Sequence, residues 1–183
     1  LSDTHLGRLM ETLDRLVPVD KLDEFSFEAN PATFTEKKVR FWRSLGMTRV
    51  SLGVQSLDSG ILRLLGREHT PDQALRSVEM LKNAGMPHIN MDLMFAIPGQ
   101  PLSIWEATLK EAVRAGTDHI SAYNLTYEED TEFFRSLLRG EKRQDPDEDA
   151  AYFELAEHML EAAGMRHYET SNYAREGCRS PHN

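Results

Sequence analysis

A junction that recurs four times places the strongest constraint on the fold of this chain. In each instance a helix-like segment ends at a glycine, and a β-branched or aromatic residue follows four positions later. The four segments are SLGMTRV (Gly46), NAGMPHI (Gly85), RAGTDHI (Gly116) and AAGMRHY (Gly164). Glycine just past a helix end adopts the left-handed conformation that other residues resist, and a short loop then leads into a strand. Four such junctions predict repeated βα units and a parallel sheet.

The hydrophobic pattern between the junctions fits alternating helices and strands. One apolar stripe at helical spacing runs from Leu6 to Val17 with Ser2 as a suitable N-cap, and two others cover 104–113 and 152–163. The predicted strands are SFEAN, RVSLGVQS, INMDLMFAI and ISAYNLTY, and HYETSNYA near the C-terminus is predicted as one more strand. Right-handed crossovers are expected between the parallel strands.

A polar segment that contains Gly140 and Pro146 interrupts this series. We therefore predict a barrel-like domain over residues 1–140. Residues 141–183 are predicted to form a linker and the start of a C-terminal subdomain.

Composition excludes several classes of function. The formal net charge of −9 disfavours broad contact with a phosphate backbone, so nucleic acid is not an expected partner. No apolar run approaches the ~20 residues that span a bilayer, and the N-terminal residues do not resemble a secretory signal. Cys178 is the single cysteine, so no intrachain disulfide can form. A reduced, cytoplasmic location is the expectation.

Four predicted strands end in polar residues: Glu28, Gln55, Asp92 and Thr126. Polar strand ends also occur in ordinary solvated loops. Successive parallel strands, however, bring their carboxyl ends to one rim, where βα barrels bind their ligands. Asp92 is the most informative, because a carboxylate inside the apolar run INMDLMFAI needs a partner or a ligand. Arg67 is expected either to pair with Asp92 or to hold a ligand carboxylate through two hydrogen bonds.

The histidines divide between the two rims of the predicted sheet. His69 follows Arg67 and is a further candidate at the ligand rim. His88, His119 and His167 lie near strand starts, on the opposite rim, and are expected to be structural.

No spacing typical of a metal site or a phosphate-binding loop is present. From the residues alone, a hydrolase or lyase that uses Glu28 and Asp92 is one hypothesis.

Several segments in order resemble one family: FEANP, RVSLGVQS, LLGREHT, NMDLMFAIPGQP, HISAYNLTYEEDT and YETSNYA followed by HN. They are similar to the radical S-adenosylmethionine (SAM) proteins related to oxygen-independent coproporphyrinogen III oxidase. Within that group, LLGREH and the terminal HN resemble the HemW-type haem chaperones. The resemblance implies an α/β fold, a partial parallel (βα) barrel with SAM across the strand ends and a [4Fe–4S] cluster at its mouth.

The resemblance also assigns individual residues. Glu28, Gln55, Arg67, Asp92 and Thr126 match SAM-contacting positions of the family, and His182 matches its haem-associated histidine. The functions implied are haem binding with transfer to an acceptor protein, or alternatively coproporphyrinogen oxidation in porphyrin biosynthesis.

This sequence departs from the family pattern in three ways. The cluster motif CxxxCxxC and the GGGTP loop are absent, and GLPGQ is replaced by AIPGQ, with Ala96 in place of glycine. The resemblance therefore implies a barrel truncated at its N-terminus, which cannot hold the cluster with its own side chains and is inactive alone. A catalytically silent partial barrel is the third possibility. A truncated sheet is expected to leave an open edge that favours marginal stability or self-association.

Overall fold

The computed structural model describes residues 2–125 and 146–183, which form a sheet with helices on one face. In chain order the elements are α1 (Asp3–Asp14), a 3₁₀ turn (Val19–Lys21), β1 (Ser26–Ala29), α2 (Glu36–Ser44), β2 (Arg49–Gln55), α3 (Ser59–Leu64), α4 (Pro71–Asn83), β3 (His88–Phe95), α5 (Leu102–Ala115), β4 (His119–Asn124), α6 (Pro146–Ala162), β5 (Arg166–Glu169) and β6 (Asn172–Ala174). The helices of this part of the chain include none that is long and apolar enough to cross a membrane.

The sheet has the strand order β1-β2-β3-β4-β6-β5. Strands β1 to β4 pair in parallel, as the recurring junctions predict. The four junction glycines Gly46, Gly85, Gly116 and Gly164 all have positive φ, between 65° and 87°. Three of them lead into the parallel strands β2, β3 and β4, whereas the fourth leads into the terminal hairpin.

The prediction of a single strand over HYETSNYA is wrong. This segment folds into β5 and β6, which pair antiparallel, and β6 also pairs antiparallel with β4. The turn between them is held by the Glu169 carboxylate, which accepts hydrogen bonds from the Ser171 backbone N–H (3.3 Å) and from the Asn172 side chain. The proposed domain boundary at residue 140 lies outside the described residues, while α6, β5 and β6 pack onto the same sheet as β1–β4.

The two faces of the sheet differ in polarity, because neighbouring residues of a strand point to opposite sides. One face packs under the helices and forms the core, with Val50, Leu52, Met91, Leu93 and Ile120 fully or almost fully buried. The opposite face, here called the polar face, consists of Ser26, Glu28, Arg49, Ser51, Gly53, Gln55, Asn90, Asp92, Met94, His119, Ser121 and Tyr123. The helices of residues 2–125 and 146–183 cover the core face, whereas residues of the polar face line the two cavities described below.

The C-terminal segment crosses the base of the sheet, which we define as the amino ends of the parallel strands. Arg49 at the start of β2 donates from Nε to Glu24 Oε2 (2.5 Å) and from Nη2 to the backbone carbonyls of Cys178 (3.0 Å) and Arg179 (3.2 Å). Ser180 Oγ donates to the other oxygen of Glu24 at 2.7 Å. This buried ion pair therefore attaches the end of the described chain to β2.

The substitution of Ala96 for the family's glycine does not prevent a left-handed turn. Ala96 follows β3 with φ of 54°, a conformation that strains a residue with a Cβ atom. The next residues form a tight turn in which the buried Gln100 accepts from the Ile97 backbone N–H through Oε1 (3.3 Å). The AIPGQ segment is thus a structural turn, and it is not among the residues that line the cavity described below.

Candidate functional site

A cavity of about 1110 Å³ opens at the carboxyl ends of the parallel strands. Its lining includes four of the residues predicted from the strand ends and the LLGREH segment: Glu28, Gln55, Arg67 and Asp92. They come from β1, β2, the loop after α3, and β3, so the sheet brings together residues that are distant in sequence. The fifth predicted residue, Thr126, lies outside the described residues.

Asp92 is the central polar group of this cavity. Its Oδ2 accepts from Ser51 Oγ at 2.8 Å and its Oδ1 from Asn90 Nδ2 at 2.7 Å. Burial raises the pKa of the Asp92 carboxyl above its usual value, and the nearby charge of Glu28 raises this pKa further. The hydrogen bonds from Ser51 and Asn90 oppose that shift. The two hydrogen bonds fix the orientation of the Asp92 carboxyl group. A cationic or hydroxyl group of a ligand beside it would stabilise the ionised carboxylate, which burial and Glu28 disfavour.

Arg67 is held at the rim by the short helix α3. Asp58 caps this helix by accepting from the Gly60 and Ile61 backbone N–H groups, and Gly66, with φ of 66°, reverses the chain after it. The Arg67 backbone N–H then donates to Leu62 O at 2.9 Å. Arg67 and Asp92 form no ion pair in the described structure, so the first of the two expected roles, pairing with Asp92, is not observed. Arg67 is exposed and lines the cavity.

His69 does not line the cavity, contrary to its prediction as a rim candidate. Its side chain is buried, and Nε2 donates to Val54 O at 3.0 Å. Burial lowers the pKa of His69. The histidine therefore fixes the loop after α3 to the end of β2, which positions Arg67 indirectly.

Gly53 leaves part of the cavity wall without a side chain. A Cβ atom at this position would lie 3.2 Å from Asn30 Oδ1 and 3.2 Å from Gln55 Nε2. The β2–β3 register shifts between Gly53 and Gln55, and Gln55 takes a positive φ of 67°. The absence of a side chain at Gly53 therefore allows the Asn30 and Gln55 amides to pack against the main chain of β2 at the cavity wall.

Sequence reasoning missed several residues that line the cavity. Tyr123 and Met94 belong to the polar face of β4 and β3, and Asn30 follows β1. Burial raises the pKa of the Tyr123 hydroxyl. Period-two alternation from His119 through Ser121 to Tyr123 was the available signal, because these positions point to one face of β4.

A second cavity of about 350 Å³ lies on the polar face nearer the base of the sheet. It shares Glu28 and Ser51 with the larger cavity and is also lined by His119 and by the exposed His182. The two cavities are therefore neighbours on one face. His182, predicted as a haem-associated residue, faces the smaller of them.

His119 is structural, as its place at a strand start predicts. It is 1% exposed, with Nδ1 donating to Asn90 Oδ1 and Nε2 accepting from Tyr168 Oη, each at 2.7 Å. Burial and the positive charge of Arg49 lower the pKa of His119 to about 4. The neutral ring thus links Asn90 on β3 to Tyr168 on β5 of the terminal hairpin.

The residues present do not fit an iron–sulfur cluster. Such a cluster needs several thiolates, and Cys178 is the single cysteine of the sequence. Cys178 lies at the base of the sheet and does not line the large cavity. Among the described residues, the charged and amide groups that line this cavity are carboxylates, side-chain amides, the Arg67 guanidinium and the Lys38 ammonium group.

Comparisons with a family model and with curated proteins agree on one family. Residues 2–112 match the family described as the Radical SAM superfamily. The "Heme chaperone HemW" of Bacillus subtilis is 34% identical over 100% of this chain and 49% of its own length. The "Radical S-adenosyl methionine domain-containing protein 1, mitochondrial" of Danio rerio is 35% identical over 97% of this chain and 40% of its own length. This chain therefore spans about half, or less, of the curated relatives it matches.

The fold is also found among solved structures. Coproporphyrinogen III oxidase (HemN) from Escherichia coli superposes with a TM-score of 0.83 at 21% identity, over 97% of this chain and 41% of that one. At this identity the likeness concerns the fold, which the partial parallel sheet and its helices share.

Proposed function

This chain belongs to the radical SAM superfamily, and on that premise we propose that its large cavity binds S-adenosylmethionine. The observation that supports this most is the convergence of Glu28, Gln55, Arg67 and Asp92 on one cavity at the carboxyl ends of parallel strands. The set contains two carboxylates, Glu28 and Asp92, and one guanidinium, Arg67, so it can pair with both a positive and a negative group of a ligand. SAM carries a carboxylate, an ammonium group and ribose hydroxyls, and each has a suitable partner here.

We assign the roles by chemistry. The Arg67 guanidinium suits the methionyl carboxylate, because its planar fork donates two parallel hydrogen bonds. Glu28 and Asp92 suit the ammonium group or the ribose hydroxyls, and Gln55 offers both a donor and an acceptor. Gly53 lets the Asn30 and Gln55 amides lie close to the backbone at the cavity wall, where both can contact the ligand. Thr126 completes the proposed set through the family resemblance.

In the wider family a bound [4Fe–4S] cluster supplies the electron that cleaves SAM. No step of that chemistry is assigned to this chain, because its one cysteine does not line the cavity. We propose that the chain by itself binds SAM without cleaving it.

We further propose that the protein acts in haem handling, as part of a haem chaperone that delivers haem to an acceptor protein in the cytoplasm. The names of two of the relatives, from Bacillus subtilis and Lactococcus lactis, support this proposal. His182 is the proposed axial ligand, since it is exposed and faces the smaller cavity beside the SAM site. Coproporphyrinogen oxidation is the alternative that the fold of HemN suggests.

Substitution of Arg67 by glutamine is expected to weaken SAM binding by about tenfold or more, since a charge-assisted pair of hydrogen bonds is lost. Asp92→Asn is expected to weaken it by a similar factor. Isothermal titration calorimetry of SAM into the chain measures both effects. The matched controls are Arg76→Gln and Asp14→Asn, which remove the same charges from exposed positions outside the cavity. Equal affinity in all four variants would contradict the proposed site.

Haem binding is expected to depend on His182. We expect haem titrated into the chain to give a Soret shift, and His182→Ala to lower the affinity by about tenfold or more. His158→Ala serves as the control, because His158 is exposed on α6 and lines neither cavity. Tight binding of coproporphyrinogen with no binding of haem would instead favour the oxidase alternative.

A further inference from the structure

Three potential metal ligands meet at the base of the sheet, on the opposite side from the SAM cavity. His88 begins β3, Asp118 precedes β4, and Cys178 lies in the C-terminal segment. One ligand atom of each residue, a ring nitrogen, a carboxylate oxygen and the Sγ atom, lies within 4.8 Å of the other two. His88 Nδ1 and Asp118 Oδ2 are 2.9 Å apart. No motif in the sequence indicates this cluster, because its members come from three separate segments of the chain.

The backbone around the cluster is fixed by hydrogen bonds. Arg175 N–H donates to Asp118 O (2.9 Å), and Cys178 N–H donates to Arg175 O (3.0 Å), so the thiol is held beside the carboxylate. Asp118 Oδ1 accepts from the Ile89 backbone N–H at 2.8 Å, which leaves Oδ2 directed at His88. These hydrogen bonds hold the backbone on both sides of the cluster, whose ligand atoms lie within 4.8 Å of one another.

The cluster is also open to solvent. The side chains of His88 and Asp118 are 33% and 20% exposed, and Cys178 is partly buried. A cation can therefore enter without unfolding the segment, and a water molecule can occupy the remaining position.

We propose that His88, Asp118 and Cys178 form a binding site for a divalent cation of the zinc class. Thiolate, imidazole and carboxylate are the ligands that Zn²⁺ takes in proteins, and three of them leave a fourth tetrahedral position for water. Ligand atoms around tetrahedral Zn²⁺ lie about 3.3–3.8 Å apart, so the observed cluster needs only a modest contraction. On binding, the cation takes the place of the thiol proton, which is released to solvent.

Such a site would connect the C-terminal segment to the parallel sheet. Cys178 lies close to Ser180 and His182 in sequence, and Ser180 is already attached to the base through Glu24. A cation that bridges Cys178 to β3 and β4 would hold this segment in place and stabilise the folded chain. None of its three residues lines either cavity, so the proposed cation site is spatially separate from the proposed SAM and haem sites.

Cobalt(II) titration of the whole 183-residue chain tests the proposal. Because Cys178 is the single cysteine, a thiolate-to-cobalt charge-transfer band can arise from no other residue of the chain. We expect this band with one cobalt per chain, displacement of cobalt by Zn²⁺, and release of about one proton per cation. Cys178→Ser is expected to abolish the band.

Two further variants distinguish a three-ligand site from a lone thiol. His88→Gln and Asp118→Asn are each expected to weaken cobalt binding by at least about tenfold, while His158→Gln leaves the affinity unchanged. Asp118→Asn keeps an acceptor for the Ile89 N–H, and circular dichroism checks that each variant is folded. The proposal is overturned by absence of the band, by a band that His88→Gln and Asp118→Asn do not alter, or by a stoichiometry of one cation per two chains.

Discussion

Replacing Arg49 with glutamine is expected to lower the free energy of unfolding by about 3–5 kcal/mol at pH 7. The side chains of Arg49 and Glu24 are only 4% and 9% exposed, so removal of the cation leaves a buried carboxylate without its counter-charge. The variant also loses the donors that hold the backbone carbonyls of Cys178 and Arg179. Urea unfolding followed by circular dichroism measures the change.

Two comparisons show whether burial causes this loss. Arg40→Gln removes an exposed ion pair with Glu36 on α2 and is expected to change the stability by less than about 1 kcal/mol. The double replacement Arg49→Met with Glu24→Leu removes both charges, so it should be less destabilising than Arg49→Gln alone. If Arg49→Gln is as mild as Arg40→Gln, the pair does not attach the C-terminal segment as described.

Acidification from pH 7 to pH 4 is expected to destabilise the fold by about 3 kcal/mol through His119 alone. In the unfolded chain His119 binds a proton below its ordinary pKa of about 6.5. In the folded chain its pKa is about 4, because the ring is buried and lies near Arg49. Between these values the unfolded state binds more protons, so stability falls as the pH falls and is unaffected by this group above about pH 7.

The hydrogen bonds around His119 explain why the neutral ring is preferred. Tyr168 Oη donates to Nε2, and its oxygen accepts from the Ser180 backbone N–H and the Asn183 side chain, both at 3.2 Å. A proton on Nε2 would add a third donor directed at Tyr168 Oη. The histidine can therefore be charged only if this network rearranges.

The variant His119→Gln isolates this contribution. Its free energy of unfolding at pH 7 is expected to be lower than that of the wild-type chain. This free energy is expected to fall less than that of the wild-type chain between pH 7 and pH 4. His158→Gln, at an exposed site on α6, should keep the wild-type pH dependence. Stability curves from urea unfolding at several pH values give the slopes, and equal slopes in His119→Gln and wild type would exclude His119 as the main titrating group.

Local chemistry in the sequence determined the parallel sheet and most of the candidate site. The residue that follows these helices adopts a positive φ, which glycine tolerates better than other residues. Gly46, Gly85 and Gly116 therefore indicated where strands β2 to β4 would start. Parallel strands then have their carboxyl ends on one side, which placed Glu28, Gln55 and Asp92 around one cavity.

Tertiary structure alone decided which distant groups meet. The terminal segment inserts β6 between β4 and β5, and no local pattern specifies that antiparallel neighbour. Arg49 reaches both Glu24 and the carbonyls of residues near the C-terminus, and His69 turns from the rim to Val54 O. The backbone conformation at a helix end and the alternation of polar and apolar side chains along a strand are properties of short segments. They can therefore be predicted from the sequence. Pairing of buried charges and of edge strands depends on contacts between remote segments, which form only when the whole sheet is assembled.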